Sequence, residues 1–169
     1  MQNIQYLDNA EVAEISDLSE VLLKINRCAA VAKGGRRFSF SGLSVVGNRG
    51  GVVGYGFGKA RQVPGAIEKA NKDGRKHLMR VHLTAAGSIP HDVEATFCGA
   101  RVRLIPASEG TGITAGAPVR AVCEMAGIRN VLTKCYGSTT SINVVKATLL
   151  ALASLRTPEQ VASLRGVEL

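Results

Sequence analysis

Two short runs in this chain carry the residue types that hold phosphate. Gly54-Tyr55-Gly56-Phe57-Gly58-Lys59 ends in a Gly-Lys pair, as nucleotide loops do. A complete phosphate loop also needs a glycine five residues before that pair and a Ser or Thr after it. Val53 and Ala60 stand there, so neither the turn nor the magnesium hydroxyl is present. Glycine alternating with Tyr55 and Phe57 instead predicts a strand closely approached by another backbone. Tyr55 is a candidate to stack on a base, or equally a core residue. Gly110-Thr111-Gly112-Ile113-Thr114-Ala115 fits a relaxed dinucleotide fingerprint, which requires an acidic residue about 20 positions on. Arg129, Asn130 and Lys134 occupy that region. A helix beginning beyond this run leaves phosphate contact open there.

Catalytic and metal sets do not assemble. His77, His82 and His91 are scattered. Gly42-Leu43-Ser44-Val45-Val46-Gly47 is one residue too long for a nucleophile elbow. Asp92 and Glu94 share one face of a strand and read as a solvated hairpin edge. Cys28, Cys98, Cys123 and Cys135 never lie at zinc-knuckle spacing. All four are expected to be small buried hydrophobes. The expectation is no enzyme, no metal, no cofactor and no small-molecule substrate.

What remains is charge. The 169 residues carry 21 Lys plus Arg against 13 Asp plus Glu, a net +8, and it is unevenly placed. Residues 1–20 hold five acids and no Lys or Arg; residues 21–80 hold 13 basic residues and two acids; residues 81–169 hold eight against six. Sixty residues at +11 are the electrostatic footprint of a polyanion binder. Nine of the 19 glycines fall within 34–58, beside Lys33, Arg36, Arg37 and Arg49. Glycine lets backbone N–H groups approach phosphates, and arginine grips them bidentately. No uncharged apolar run of 18 residues is present, so no transmembrane helix is expected, and residues 1–20 do not resemble a signal peptide. A cytoplasmic protein is expected.

The elements that must position these groups follow from periodicity. Residues 1–20 read as a mobile acidic lead. Strands are expected over 21–32, 37–46 and 52–58, with a turn at Lys33-Gly34-Gly35-Arg36 and a hairpin loop at 47–51 in which Asn and Gly take positive φ. Phe38 and Phe40 have one parity, Leu43 and Val45 the other, which predicts a bulge at Ser41-Gly42. A helix then starts at Pro64, with Ile67, Ala70, Gly74, Leu78 and Val81 on its buried face and Lys69, Lys72, Arg75 and Lys76 outward. Residues 84–91 are the expected boundary between two parts. A hairpin over 93–105, a helix over 114–126 closed by Gly127, a strand over 131–136, a helix over 142–155 and a short last helix capped by Thr157 complete the chain. The fold class is α+β in two parts.

Three blocks are familiar in combination. They are the run from Lys33-Gly34-Gly35-Arg36-Arg37 through Gly58-Lys59-Ala60, then Pro106 to Gly116, then Tyr136-Gly137-Ser138-Thr139 with Ile142 to Ala147. In that order they closely resemble the family of the fifth small-subunit ribosomal protein of bacteria and organelles, over residues 21–166. The resemblance implies a double-stranded-RNA-binding-like domain over 21–84 and a βαβ-type sandwich over 91–169. It implies binding to small-subunit ribosomal RNA, contacts with small-subunit ribosomal proteins four and eight, messenger RNA nearby, a role in assembly and head–body positioning, and a part in decoding accuracy. The expected RNA contacts are Arg27, Lys33, Gly34, Gly35, Arg36, Arg37, Asn48, Arg49, Tyr55, Lys59 and Arg61, with Lys69, Lys72, Arg75 and Lys76 as a second tier. By matching position, Gly112 and Arg120 face protein four. Ala29 and Ala30 stand where relatives often carry Ser and Lys, and Thr140-Ser141 replaces a common Asn-Pro. Two rivals frame the expectation: a free-standing RNA chaperone or double-stranded-RNA regulator, and a nucleotide-dependent transferase, which the incomplete phosphate loop disfavours.

Overall fold

The fold is known from a computed structural model, which describes residues 4–8, 11–12, 15 and 17–166. Among the described residues, two four-stranded sheets carry four helices of eight residues or more. In chain order these are β1 (Ser19–Ala32), β2 (Gly35–Gly47), β3 (Val52–Ala60), α1 (Val63–Gly74), β4 (Leu78–Arg80), β5 (Val93–Phe97), β6 (Ala100–Pro106), β7 (Ile113–Thr114), α2 (Ala117–Ala126), β8 (Val131–Gly137), α3 (Ser141–Ala153) and α4 (Pro158–Arg165). The first sheet runs β1-β2-β3-β4, antiparallel throughout; the second runs β5-β6-β8-β7. Only β7 and β8 are parallel, with α2 as their crossover, so this unit is βαβ.

The first sheet is covered on both sides. Gly54, Gly56 and Gly58 pair with Val46, Ser44 and Gly42 and face α1. Ala66, Ala70 and Gly74 of that helix are buried against them. The expected close approach of a second backbone is present: a Cβ on Gly56 would lie 2.8 Å from Gly74 Cα and closer still to Ala70 O. Leu43, Val45 and Val53 point the other way. They join Val119, Val122 and Met125 of α2 and Val102 and Leu104 of β6 in one apolar cluster. The two sheets therefore share a core. Backbone bonds stitch it further: Arg49 N donates to Met125 O at 2.9 Å and Gly51 N to Ala126 O at 2.9 Å. The segment between β4 and β5 is tied down too, with Ile89 buried and Ser88 Oγ donating to Asn130 O at 2.8 Å.

Several expectations are corrected. The helix from Pro64 ends at Gly74 and does not reach Val81. Leu78–Arg80 forms β4 instead, because β3 offers an open edge and Leu78 pairs with Gly54. Leu78 is buried from this strand and Val81 from the segment just after it, where helical spacing has no meaning. The parity change in β2 is not a bulge. Both faces of that strand are buried beyond Phe40, so apolar residues of either parity are satisfied. The register shift lies in β1, between Leu22 and Lys24. In the 47–51 loop Arg49 and Gly51 take positive φ, at 53° and 96°. Asn48 stabilises the turn with its side chain, its Oδ1 accepting from Gly50 N at 2.8 Å and Val52 N at 3.0 Å. The described part of the acidic lead packs down: Leu7, Val12, Ile15 and Leu18 lie against Val46, Val52 and Leu78, and Leu7 N donates to Leu78 O at 2.8 Å.

Of the four cysteines only Cys123 is buried; Cys28 and Cys135 are half-buried, and Cys98 is exposed at φ 51° in the β5–β6 turn. Hairpin geometry overrides side-chain polarity at Cys98, since a two-residue turn must face solvent. Burial pushes the Cys123 thiol up to about 12. Under native conditions at pH 8 a maleimide is expected to label Cys98 first and Cys123 only after unfolding, as thiol-resolved mass spectrometry would show.

Candidate nucleic-acid interface

The strongest concentration of accessible charge is a ribbon. β3 pairs with β2 only from Phe40 to Gly47. The five pairs from Cys28↔Ser39 to Ala32↔Gly35 belong to β1 and β2 alone. They extend the hairpin about 17 Å past the sheet at roughly 3.4 Å per residue. Every residue from Ala29 to Phe38 is exposed. A two-stranded ribbon is marginal by itself in water, so its sequence serves something other than the core. Gly34, at φ 92°, and Gly35, at φ 149°, close the turn and leave the backbone unshielded.

Pairing register distributes the charge. Arg36 lies opposite Val31 and Arg37 opposite Ala30, so the two arginines project from opposite faces. Lys33 sits at the tip. Arg27 stacks its guanidinium 3.8 Å above the Phe38 ring, which is itself 45% exposed. A cation held over an exposed aromatic presents both a stacking plane and phosphate donors. Lys59 and Arg61 are exposed at the ribbon's root, where Ala60 pairs with Phe40. Lys69 reaches the same spot, its Nζ 3.5 Å from Lys59 O. Lys72 and Lys76 are exposed farther back.

Other expected contacts are placed differently. Arg75 donates from Nε and Nη2 to Glu20 Oε1, at 3.1 and 2.9 Å, and Asn71 Nδ2 donates to the other oxygen. Glu20 comes from β1 on the α1 side of the sheet, and only the three-dimensional register reveals it as the partner. Substituting Glu20 with Ala is expected to release Arg75 and tighten duplex RNA binding about fivefold at 0.15 M salt, with a salt slope steeper by about one, by filter binding. Tyr55 is half-buried, stacked on His77 at 6.1 Å, with Lys146 Nζ 5.6 Å over its ring. Burial, and then the Asp73 carboxylate, push its phenol up. It serves the packing between the sheets. Asn48 and Arg49 lie at the opposite end of β2 from the ribbon. Asn48 is used by its own turn, while the Arg49 side chain is exposed.

The remaining groups of interest are accounted for. Arg103 pairs with Asp92, just before β5, at 2.6 Å, and Arg101 with Glu94 across β5 and β6, so the possible carboxylate pair is two ion pairs. Arg103 holds the Asp92 carboxyl below its ordinary range. Gly112 precedes β7 at φ 75°. Its N–H donates to Asn130 Oδ1 at 3.1 Å, and its carbonyl accepts from Val131 N. The Gly110–Gly112 run thus lies ahead of its strand, where a dinucleotide loop would follow one. Arg120 is exposed on α2, one turn from the start of that helix. Among the described residues no cluster of three His, Cys, Asp or Glu could hold a metal ion, and no helix is long and apolar enough to cross a membrane.

Comparison with known proteins agrees across the chain. The model of ribosomal protein S5, N-terminal domain, matches residues 18–82, and that of ribosomal protein S5, C-terminal domain, matches residues 95–165. Curated relatives carry the description small ribosomal subunit protein uS5. That of Rhodopirellula baltica is 52% identical over 159 residues, 94% of this chain and 89% of its own length. That of Baumannia cicadellinicola is 51% identical over 153 residues, covering 90% and 92%. That of Shewanella oneidensis is 50% identical over 157 residues, covering 93% of each.

Proposed function

This chain belongs to the ribosomal protein S5 family, structural constituents of the small ribosomal subunit and not enzymes, and from that premise we propose that it grips small-subunit rRNA through the β1–β2 ribbon. One observation carries the reading. The ribbon presents Arg27, Lys33, Arg36 and Arg37 on an exposed hairpin with no acid within it. Such a hairpin fits an RNA backbone by charge and shape, and needs no base-specific contact. Lys59, Arg61 and Lys69 continue the grip at the ribbon root, Lys72 extends it along α1 and Lys76 into the turn that follows. The reach of the ribbon beyond the body suits a protein that bridges parts of a particle, which supports roles in assembly, head–body positioning and decoding accuracy. Contacts with small-subunit proteins four and eight, the former through the Gly112 and Arg120 surface, and a place near messenger RNA belong to the same reading, as does residence on ribosomes in the cytoplasm. Two units, 21–84 and 91–169, would meet through the shared core.

Sedimentation of a tagged full-length chain tests this. Comigration with the small subunit that survives high salt and is lost on ribonuclease digestion is the expected result. Migration as a free 17.7 kDa protein that binds any duplex equally would overturn it in favour of an RNA chaperone.

A further inference from the structure

We propose that the groove lined by Arg80, His82 and Arg156 is a second, separate RNA-backbone site. The proposal rests on the reading that the chain binds rRNA. The groove encloses about 440 Å³ between the edge strand β4 and the turn that joins α3 to α4. β4 and the residues after it build one wall: Met79 is buried and Arg80 exposed at the end of the strand, and beyond it Val81 is buried, its N–H donating to Gly51 O at 2.7 Å, while His82 is exposed. Arg156 supplies the other wall from a fixed turn. Its N–H donates to His91 Nε2 at 3.1 Å, and Thr157 beside it caps α4 through a reciprocal pair with Gln160. Met79, Leu152 and Leu155 form a buried floor, so the cations are mounted on the core.

Charge and polarity identify the ligand. Gln5, Ser154 and Gln160 are the other polar lining groups, and no carboxylate lines the groove among the described residues. Glu159 lies with Arg156 in the neighbouring hollow and forms no ion pair among those residues. Elsewhere the molecule neutralises arginines that serve the fold, as with Arg75, Arg101 and Arg103. Arg80 and Arg156 are left exposed without such a partner among the described residues. The apolar floor is already buried, so the surface this groove exposes is mainly polar and does not suit a protein's aromatic anchor. Spaced cations without such an anchor fit a phosphodiester backbone. Arg80 pairs with Val52, at the end of the sheet remote from the ribbon. Twelve residues along β2 separate Gly35 from Gly47, about 40 Å. The two sites therefore touch different phosphates.

The test compares three full-length proteins on small-subunit rRNA across a salt series: wild type, R80Q/R156Q and R36Q/R37Q. The groove variant is expected to lower the salt slope by about two and the affinity about 30-fold at 0.15 M salt. It should also lose nuclease protection at nucleotides that the ribbon variant still protects. R80K/R156K keeps the charge and should restore the slope, and an unchanged melting midpoint certifies each fold. Wild-type slope and affinity for R80Q/R156Q, with a clear loss for R36Q/R37Q, would overturn the groove site and leave the ribbon reading standing. If neither variant changes binding, the rRNA reading itself fails. Normal rRNA binding by R80Q/R156Q with loss of subunit association would also overturn the proposal, assigning the groove to an acidic protein face.

Discussion

Replacing Gly56 with Ala is expected to destabilise the protein by about 3–5 kcal/mol, and with Val to prevent folding. The added Cβ would meet Ala70 O, Gly74 N and Gly74 Cα, all backbone atoms of the packed helix. No side chain can rotate away, so α1 must lift off the sheet. Gly54 and Gly58 are seated the same way, against His77 and against Ala66 and Ala70, so the helix has nowhere to slide. A loss of that size is a large share of the 5–15 kcal/mol typical of a domain. The matched control has the opposite sign. Gly65 lies inside α1, where a Cβ would meet only the Ala60 Cβ at 3.5 Å. Gly65→Ala should stabilise by about 0.5–1 kcal/mol, because glycine is a poor helix former. Urea midpoints for the two variants check both signs, and a Gly56→Ala midpoint close to wild type would refute the close-packing account.

Neutralising the ribbon tip with K33Q/R36Q/R37Q is expected to weaken rRNA binding about 100-fold at 0.15 M salt while leaving stability unchanged. Taking three cations off the phosphates should lower the salt slope by nearly three, and that slope carried from 1 M to 0.15 M accounts for the weaker affinity. The three side chains are exposed and make no ion pair among the described residues, so the melting midpoint should stay fixed. A slope indistinguishable from wild type would remove the ribbon from the interface. The Gly56 and ribbon variants thus separate folding from binding: one moves the urea midpoint, the other only the salt dependence.

The ribbon is legible in the sequence because its signals are local. Lys33-Gly34-Gly35-Arg36 is a turn by composition, and the flanking alternation sets the strands. The same holds for Gly127 and Thr157, whose capping roles depend on residues one to four positions away. Arg75 is not legible. Its engagement by Glu20 spans 55 positions and exists only once β1 is laid beside β2 over α1. Tyr55 is ambiguous in the same way, since a tyrosine in a strand is equally suited to a base or to a neighbouring imidazole.

The polyanion-binding charge block, the glycine alternation that admits a helix backbone, and the order of nearly all the elements are thus written in the amino-acid sequence. Each rests on short-range spacing, which limits φ, face and local charge. Which cations stay available is settled only by packing. Pairing register turns Glu20 on to Arg75, Asp92 and Glu94 on to Arg103 and Arg101, and leaves the ribbon, Arg80 and Arg156 open to solvent. It also merges two sheets into one core, because the far face of β2 and β3 is apolar and α2 lies against it. Periodicity shows that a face is apolar; only the packed fold shows what covers it.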